Sequence, residues 1–248
     1  TVKQNTDNAH LANRLADNRG QASIVVHQAA ADVQAQRVNT ATGVSKTAKG
    51  SPVKVEKIED AALAASGGNL QPWRVAALAG EPLQALLVEV AATPAQESDA
   101  LLSYPPDLWE PYRTRRFVNG EDMYRCLGIP REDKPARLRH LAKNAQLFGA
   151  PVGIFVFTDA RMGYPQWLDL GIYLQSLMLR ATEEGLATCA QGFWRRYSAL
   201  VHRHVAMPQG YQLAYGLALG YEDTAAPVNA LRTARADFAE WGSLQGFE

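Results

Sequence analysis

The first 72 residues contain no aromatic side chain: the five tryptophans, nine tyrosines and seven phenylalanines of this 248-residue chain all lie at or beyond Trp73. An even spread would have placed about six of them there, so the composition changes along the chain. Residues 1–55 are rich in Ala, Asn, Gln, Thr and Val and carry too little apolar mass for a core of their own. They offer weak helical spacing at Ala9, Leu11 and Leu15 and a short strand pattern at Ser23-Ile24-Val25-Val26. Cysteine is scarce. Cys126 and Cys189 form no Cys-x-x-Cys pair, which argues against a dithiol motif or a zinc site and leaves free thiols as the expectation. Charge of one sign is missing as well: 25 basic and 25 acidic side chains balance, so nothing electrostatic calls for nucleic acid or a membrane surface. No uncharged apolar run approaches the ~18 residues of a membrane span. The first thirty residues also lack the basic-then-apolar layout of a secretory leader, and a cytoplasmic setting is expected. A Gly-x-Gly-x-x-Gly string is absent, which disfavours a Rossmann unit. His202-Arg203-His204 has no further ligand at helical or hairpin spacing, and no metal site is expected there.

What is present is a core, with 47% hydrophobic residues. Val55, Ile58, Ala61, Ala62 and Ala65 recur at helical spacing, and residues 74–79 read as a strand. Glu81-Pro82 opens a helix with Leu83, Leu86, Leu87 and Val90 on one face. Residues 94–134 form a polar, proline-punctuated insertion rich in aromatics and arginines, which suits a cover over a pocket; Trp109, Tyr112, Arg113 and Phe117 are its candidate substrate-facing residues. The alternative is that its arginines are a solvated face and its aromatics anchor it to the body. An amphipathic helix is expected over 135–148 with Leu138, Leu141, Ala142 and Ala145 inward and Lys143 and Asn144 outward or toward a ligand. Val152-Gly153-Ile154-Phe155-Val156-Phe157 reads as a central strand covered on both faces. Residues 169–184 make a helix that is apolar nearly all round: Leu170, Leu174, Leu177, Met178 and Ala181 form one stripe, while Ile172, Tyr173 and Leu179 lie outside it. A subunit interface is the natural way to bury such a helix. Strands at 187–190 and 213–221, with a polar helix over 198–205 between them, complete an α+β class fold, an α/β sandwich.

Between the first helix and the first strand of that sandwich stands Ser66-Gly67-Gly68-Asn69-Leu70-Gln71-Pro72-Trp73. Two glycines let backbone approach a flat ligand, Ser66, Asn69 and Gln71 supply donors and acceptors, and the proline makes the chain leave extended. Serine, glycine, asparagine and proline are also the ordinary residues of turns. The string resembles the signature loop of the flavin-dependent nitroreductase family, Pro-Ser-x-x-Asn-x-Gln-Pro-Trp, with Ala65 in place of the first proline. Glu183-Glu184-Gly185-Leu186 resembles that family's Glu-Gly-Leu corner beside the flavin, and Gly216 to Tyr221 its Gly-x-x-x-Gly-Tyr strand end. Arg232 and Arg235 stand where the family places the basic residues that hold the FMN phosphate, a role suited to a planar guanidinium fork.

The resemblance covers residues 56–240 and implies a nitroreductase-like mixed or antiparallel sheet flanked by helices, in a homodimer with the long helix at its interface. It implies FMN, held by Ser66, Gly67, Asn69, Gln71, Glu184, Gly185, Leu186, Arg232 and Arg235, with NADPH or NADH as electron donor. Turnover would be ping-pong, reducing a small nitroaromatic by two electrons to nitroso and then hydroxylamine, with quinones as alternative oxidants and no catalytic side chain. A same-scaffold dehalogenase or enone reductase, or a flavin-binding protein without turnover, are the other readings. One family element is missing: no Arg-Arg-Ser-x-Arg string precedes Ser66. Either Lys3, Arg14, Arg19 or Arg37 replaces it, or FMN is held weakly, or residues 1–55 reflect a locally shifted reading frame. On this reading, residues 56–248 are the flavin-binding domain and 1–55 an atypical segment.

Overall fold

The computed structural model describes residues 56–96 and 103–246, together with the backbone of Val25–Val26 and Val44–Ser45. The spacing at Ala9, Leu11 and Leu15 and the four candidate basic residues Lys3, Arg14, Arg19 and Arg37 lie outside the described residues. In chain order the elements are β1 (Val25–Val26), β2 (Val44–Ser45), α1 (Glu56–Asp60), β3 (Arg74–Ala79), α2 (Gly80–Ala92), α3 (Tyr112–Cys126), α4 (Lys134–Ala142), β4 (Val152–Asp159), α5 (Tyr164–Glu183), β5 (Ala187–Gln191), α6 (Ser198–Val205), β6 (Tyr211–Glu222) and α7 (Phe238–Trp241).

The continuous apolar run of β4 is buried from Val152 to Thr158, as a strand covered on both faces must be. Its side chains alternate between two cores. Phe155 and Phe157 pack with Leu83, Leu86 and Val90 of α2, Trp194, and Val201 and Val205 of α6. Ile154 and Val156 pack instead with Ile58, Trp73 and the α5 residues Leu170, Tyr173 and Leu177. Four antiparallel strands in the order β3-β4-β6-β5 form the centre of the sheet. At one edge β1 pairs parallel with β3, and β2 pairs antiparallel with the last two residues of β6. The expected α+β class, with its antiparallel sheet between helical layers, is what the chain forms.

Three expected elements differ in detail. The helix anticipated from Val55 to Ala65 stops at Asp60 and tightens into a 3-10 turn over Ala61–Leu63. Ala61 is fully buried in the core shared with α5, and Arg180 of α5 holds Asp60 at 2.8 Å. The helix anticipated over 135–148 ends at Ala142, and most of its assigned inward face is wrong: Leu138 and Leu141 are 65% and 49% exposed and only Ala145 packs against the core, whereas His140, Leu147 and Phe148 are buried. Leu147 and Phe148 adopt left-handed backbone, with φ of 48° and 53°, and this bend delivers their side chains inward where a continued helix would not. Asn144 points at the body: its Oδ1 and carbonyl accept from the buried Gln191 Nε2 at 2.9 and 3.1 Å. The long helix starts at Tyr164, earlier than expected. It buries Leu170, Tyr173, Leu177 and Ala181 while leaving Leu168, Ile172 and Leu179 54%, 45% and 56% exposed on the other side.

Candidate functional site

The loop before β3 is closed on itself. Ser66 Oγ accepts from the Gln71 N–H at 3.1 Å, the Ser66 carbonyl from Asn69 N–H at 3.0 Å, and the Gly67 carbonyl from Leu70 N–H at 3.2 Å. Making those bonds in six residues requires left-handed backbone at Gly68, Asn69 and Gln71, with φ of 59°, 56° and 48°. Glycine accepts this freely and asparagine tolerates it, but Gln71 does so at a cost of about 1–2 kcal/mol. Gln71 Nε2 donates to Asn69 Oδ1 at 3.1 Å, which offsets part of that strain. Gly67 to Leu70 are exposed, and a Cβ added at Gly67 would meet nothing within 4 Å. A flat ligand can therefore approach this backbone. Beneath the loop, Trp73 stacks on Tyr173 with ring centroids 5.0 Å apart, and Gly67 N–H donates to Asp169 Oδ1 at 3.1 Å.

Glu184, Gly185 and Leu186 close the other end of α5. Gly185 has φ of +72°; its N–H donates to the Thr182 carbonyl at 3.0 Å and that of Leu186 to Ala181 at 2.9 Å, the left-handed stop of a helix. Glycine is thus required here by the turn itself. A Cβ on Gly185 would also meet open space, so this backbone too is accessible from outside.

Arg232 and Arg235 lie in the exposed irregular tail that follows a 3-10 turn at Pro227–Ala230. Their guanidinium groups touch only local acceptors, Arg232 the Asn229 carbonyl at 2.8 Å and Arg235 the Thr233 carbonyl at 3.0 Å. Among the described residues neither makes an ion pair, which leaves both forks available for an anion.

Within the insertion, α3 presents an entirely exposed N-terminal half from Tyr112 to Asn119. Trp109 and Tyr112 meet edge to face at 5.5 Å, Arg113 pairs with Glu110 at 2.8 Å, and the Arg131 guanidinium lies 5.2 Å from the Phe117 ring. The C-terminal half is fixed to the body. Arg137 of α4 grips Glu121 and holds its carboxyl below the usual carboxylate range, and Tyr124 is buried beside His140. Arg115 reaches Glu240 of α7 at 2.8 Å, so the insertion is also joined to the tail.

Sheet register sorts these pieces. Arg74 of β3 is opposite Phe157 near the C-terminal end of β4, which is opposite Leu213 near the start of β6; the Ser66–Gln71 loop stands at that end. At the other end Val152 faces Leu219 and Ala187 faces Gly220, and there stand the Glu184–Leu186 corner and the end of β6 from which the tail leaves. Asp169 and Glu184 bracket a stretch of α5 that spans about 22 Å at 1.5 Å per residue, longer than three fused rings. One chain therefore keeps the loop and the corner at opposite ends of the sheet.

Three residues outside the sequence-derived set hold these parts: Asp169 under the loop, Arg137 under the insertion, and Gln191, whose Oε1 accepts from Trp194 Nε1 at 3.2 Å. Asp169 carried a signal, an acid inside an otherwise apolar helix. Its pairing with Gly67, 102 positions away, did not.

Fold and loop together define the nitroreductase class, and the chain belongs to that family: the nitroreductase family model matches residues 51–221. Among its relatives, a 4-nitrobenzoate reductase of Pseudomonas putida is 37% identical over 194 residues, which cover 78% of this chain and 86% of that protein. The crystal structure of an FMN and NADPH-dependent nitroreductase, NfnB from Sphigopyxis sp. strain HMH, superposes with a TM-score of 0.74 at 37% identity over 85% of this chain and 96% of that one. An FMN-dependent NfnB from Mycobacterium smegmatis, solved in complex with NADPH, gives a TM-score of 0.72 at 25% identity over 84% and 94%.

Proposed function

We propose that this chain is an FMN-dependent NAD(P)H oxidoreductase that reduces small nitroaromatic compounds. The observation that carries the reading is the Ser66–Gln71 loop, whose left-handed backbone at Gly68, Asn69 and Gln71 leaves an open polar edge on a rigid Trp73–Tyr173 base. The residues fit FMN. Gly67 and Gly185 leave room for a ring against backbone, Asn69 and Gln71 supply polar groups to its rim, and Arg232 and Arg235 supply guanidinium to its phosphate. Bound FMN supplies two-electron transfer between a reduced nicotinamide and a nitro group or quinone, taken in turn at one face. The protein's part is to hold, orient and shield, and no side-chain acid or base is assigned.

Because the loop and the corner lie at opposite ends of α5, one flavin meets both only if two chains contribute. A homodimer supplies this: the loop of one protomer faces the corner and arginine tail of its partner, and the exposed Leu168, Ile172 and Leu179 are covered in the process. Residues 56–248 act as the flavin-binding domain, with 94–134 as its lid and Trp109, Tyr112, Arg113 and Phe117 toward the substrate. Among the described residues no helix is long and apolar enough to cross a membrane, and a cytoplasmic setting, with reduced nicotinamide at hand and Cys126 and Cys189 as free thiols, fits the reading.

Purified protein supplemented with FMN should retain a yellow flavin spectrum through gel filtration and oxidise NADPH faster when 4-nitrobenzoate is added. Protein that stays colourless, or whose NADPH oxidation no nitroarene or quinone accelerates, would overturn the assignment.

A further inference from the structure

Asp169 is out of place in α5 unless it serves the loop. It is 6% exposed, flanked in sequence by Leu168 and Leu170, and only one of its oxygens has a donor. Oδ2 is buried with no partner among the described residues, as are Thr158 Oγ1 of β4 and Tyr215 Oη of β6. A half-satisfied buried carboxylate opposes folding, and a leucine would suit α5 better. Nor does Gly67 need this acceptor, because it is exposed and water can take its N–H. Hydrogen-bond accounting for the fold therefore does not explain the pair.

Position does. Among the described residues the Gly67–Asp169 contact is the one hydrogen bond that ties residues 66–71 to another element; every other bond of the loop is internal. A closed knot can pivot as a body on Trp73, whereas one pinned at Gly67 cannot. We propose that Asp169 is the positioning residue of the flavin loop: through Gly67 N–H it fixes the orientation in which Gly68, Asn69 and Gln71 meet the ring of FMN. The inference rests on the flavin assignment above and names what makes that loop competent before ligand arrives. It costs stability and supplies preorganisation.

Asp169→Asn and Asp169→Leu test it, with two readouts in each. Amide exchange of the peptide spanning 64–72 in flavin-free protein reports the pin directly, and FMN dissociation constants by fluorescence titration report its consequence. Asn keeps an acceptor for Gly67 and should leave loop exchange and FMN affinity within about threefold of wild type, whereas Leu removes it and should speed loop exchange and weaken FMN about tenfold. The melting temperature of flavin-free Asp169→Leu should be equal to or above that of wild type, the reverse of what a merely structural residue gives. Unchanged loop exchange in folded Asp169→Leu, or an Asn variant as impaired as Leu, would overturn the inference; so would a lowered melting temperature with FMN affinity intact. Wild-type protein that binds no FMN would instead defeat the flavin assignment and leave the exchange comparison to decide the pin.

Discussion

Arg137 holds Glu121 through both terminal guanidinium nitrogens, at 2.5 and 3.0 Å, and lies 4.2 Å over the ring of Tyr124, so this side chain of α4 helps to fasten α3, the helix of the proposed lid, to the body. Arg137→Ala removes both the fork and the stacked plane. We expect faster amide exchange over residues 112–126 with β4 exchange unchanged, and a raised KM for the nitroarene. Arg137→Lys, which keeps the charge without the fork, should recover only part of this. Glu121 is held below its ordinary value by that hydrogen bond, so the tether is complete above the unfolded carboxylate pKa of about 4.3 and disappears as pH falls through the lower folded value.

A second pH effect has a different origin. His140 is buried between Tyr124 and Phe148, with ring centroids 5.9 Å away in each case; burial and then the charge of Lys143 push its pKa below the usual imidazole value. The folded state thus keeps it neutral, while the unfolded chain takes a proton near pH 6.5. Stability contributed this way is full above that pH and falls as the solution is acidified toward the lower folded pKa. Melting curves at pH 7.5 and 5.5 should show a drop for wild type that is smaller in His140→Leu; an equal drop in both would place the titrating group elsewhere.

The central strands were legible as apolar runs that follow a glycine or proline, β4 after Pro151 and β6 after Gly210, whereas the two-residue β2 was not anticipated. The loop at Ser66 was legible for the same reason that it works, since glycine, asparagine and proline in close order allow few backbone shapes. What periodicity misplaced was the face of α4. The buried Leu147 and Phe148 lie beyond a left-handed bend, and a 3.6-residue repeat carried through that bend assigns Leu138 and Leu141 to the core. Long-range polar holds were not legible at all. Asp169 with Gly67 and Glu121 with Arg137 are pairings of tertiary geometry, and neither sequence neighbourhood contains its partner.

Among the sheet glycines compared, Gly216 leaves the least room for a side chain. A Cβ there would come 2.4 Å from Trp194 Cδ1 and 2.8 Å from Cγ, and Trp194 is itself fully buried and fixed by Gln191. That indole has no room to yield, so Gly216→Ala should destabilise by about 1–3 kcal/mol, the range for overpacking a dense core. Chemical denaturation would read this as a lower midpoint at constant slope. Gly67→Ala, where an added Cβ meets open space, should leave the midpoint nearly unchanged and serves as the comparison.

Covering the outer side of α5 is the role assigned to the second protomer. Ile172 and Leu179 are 45% and 56% exposed in one chain, and a glutamate at each would bury two charges in the proposed interface while leaving the monomer core untouched. Ile172→Glu with Leu179→Glu should sediment as a monomer at micromolar concentration and release FMN, with the Trp194 core still giving a cooperative melt. A doubly substituted protein that stays dimeric and yellow would move the interface to another surface.

Arg235 offers the sharpest separation of binding from folding. The side chain is exposed, touches only Thr233 and Ala234 in its own tail, and makes no ion pair among the described residues, so its removal should not move the melting temperature of the flavin-free protein. If it holds the phosphate of FMN, removing that charged hydrogen bond costs about 1.5–3 kcal/mol, which is roughly 10- to 100-fold in affinity. Arg235→Ala should therefore weaken FMN by that factor, more than riboflavin, which has no phosphate. Arg235→Lys should recover part of the affinity, because a point charge replaces the fork. Rising salt should weaken FMN for wild type more than for the alanine variant, as expected when a surface charge has been removed. An equal weakening of FMN and riboflavin would mean that Arg235 acts on the ring or on the lid through the tail, and the phosphate would then belong to Arg232 or to a basic residue of the N-terminal segment.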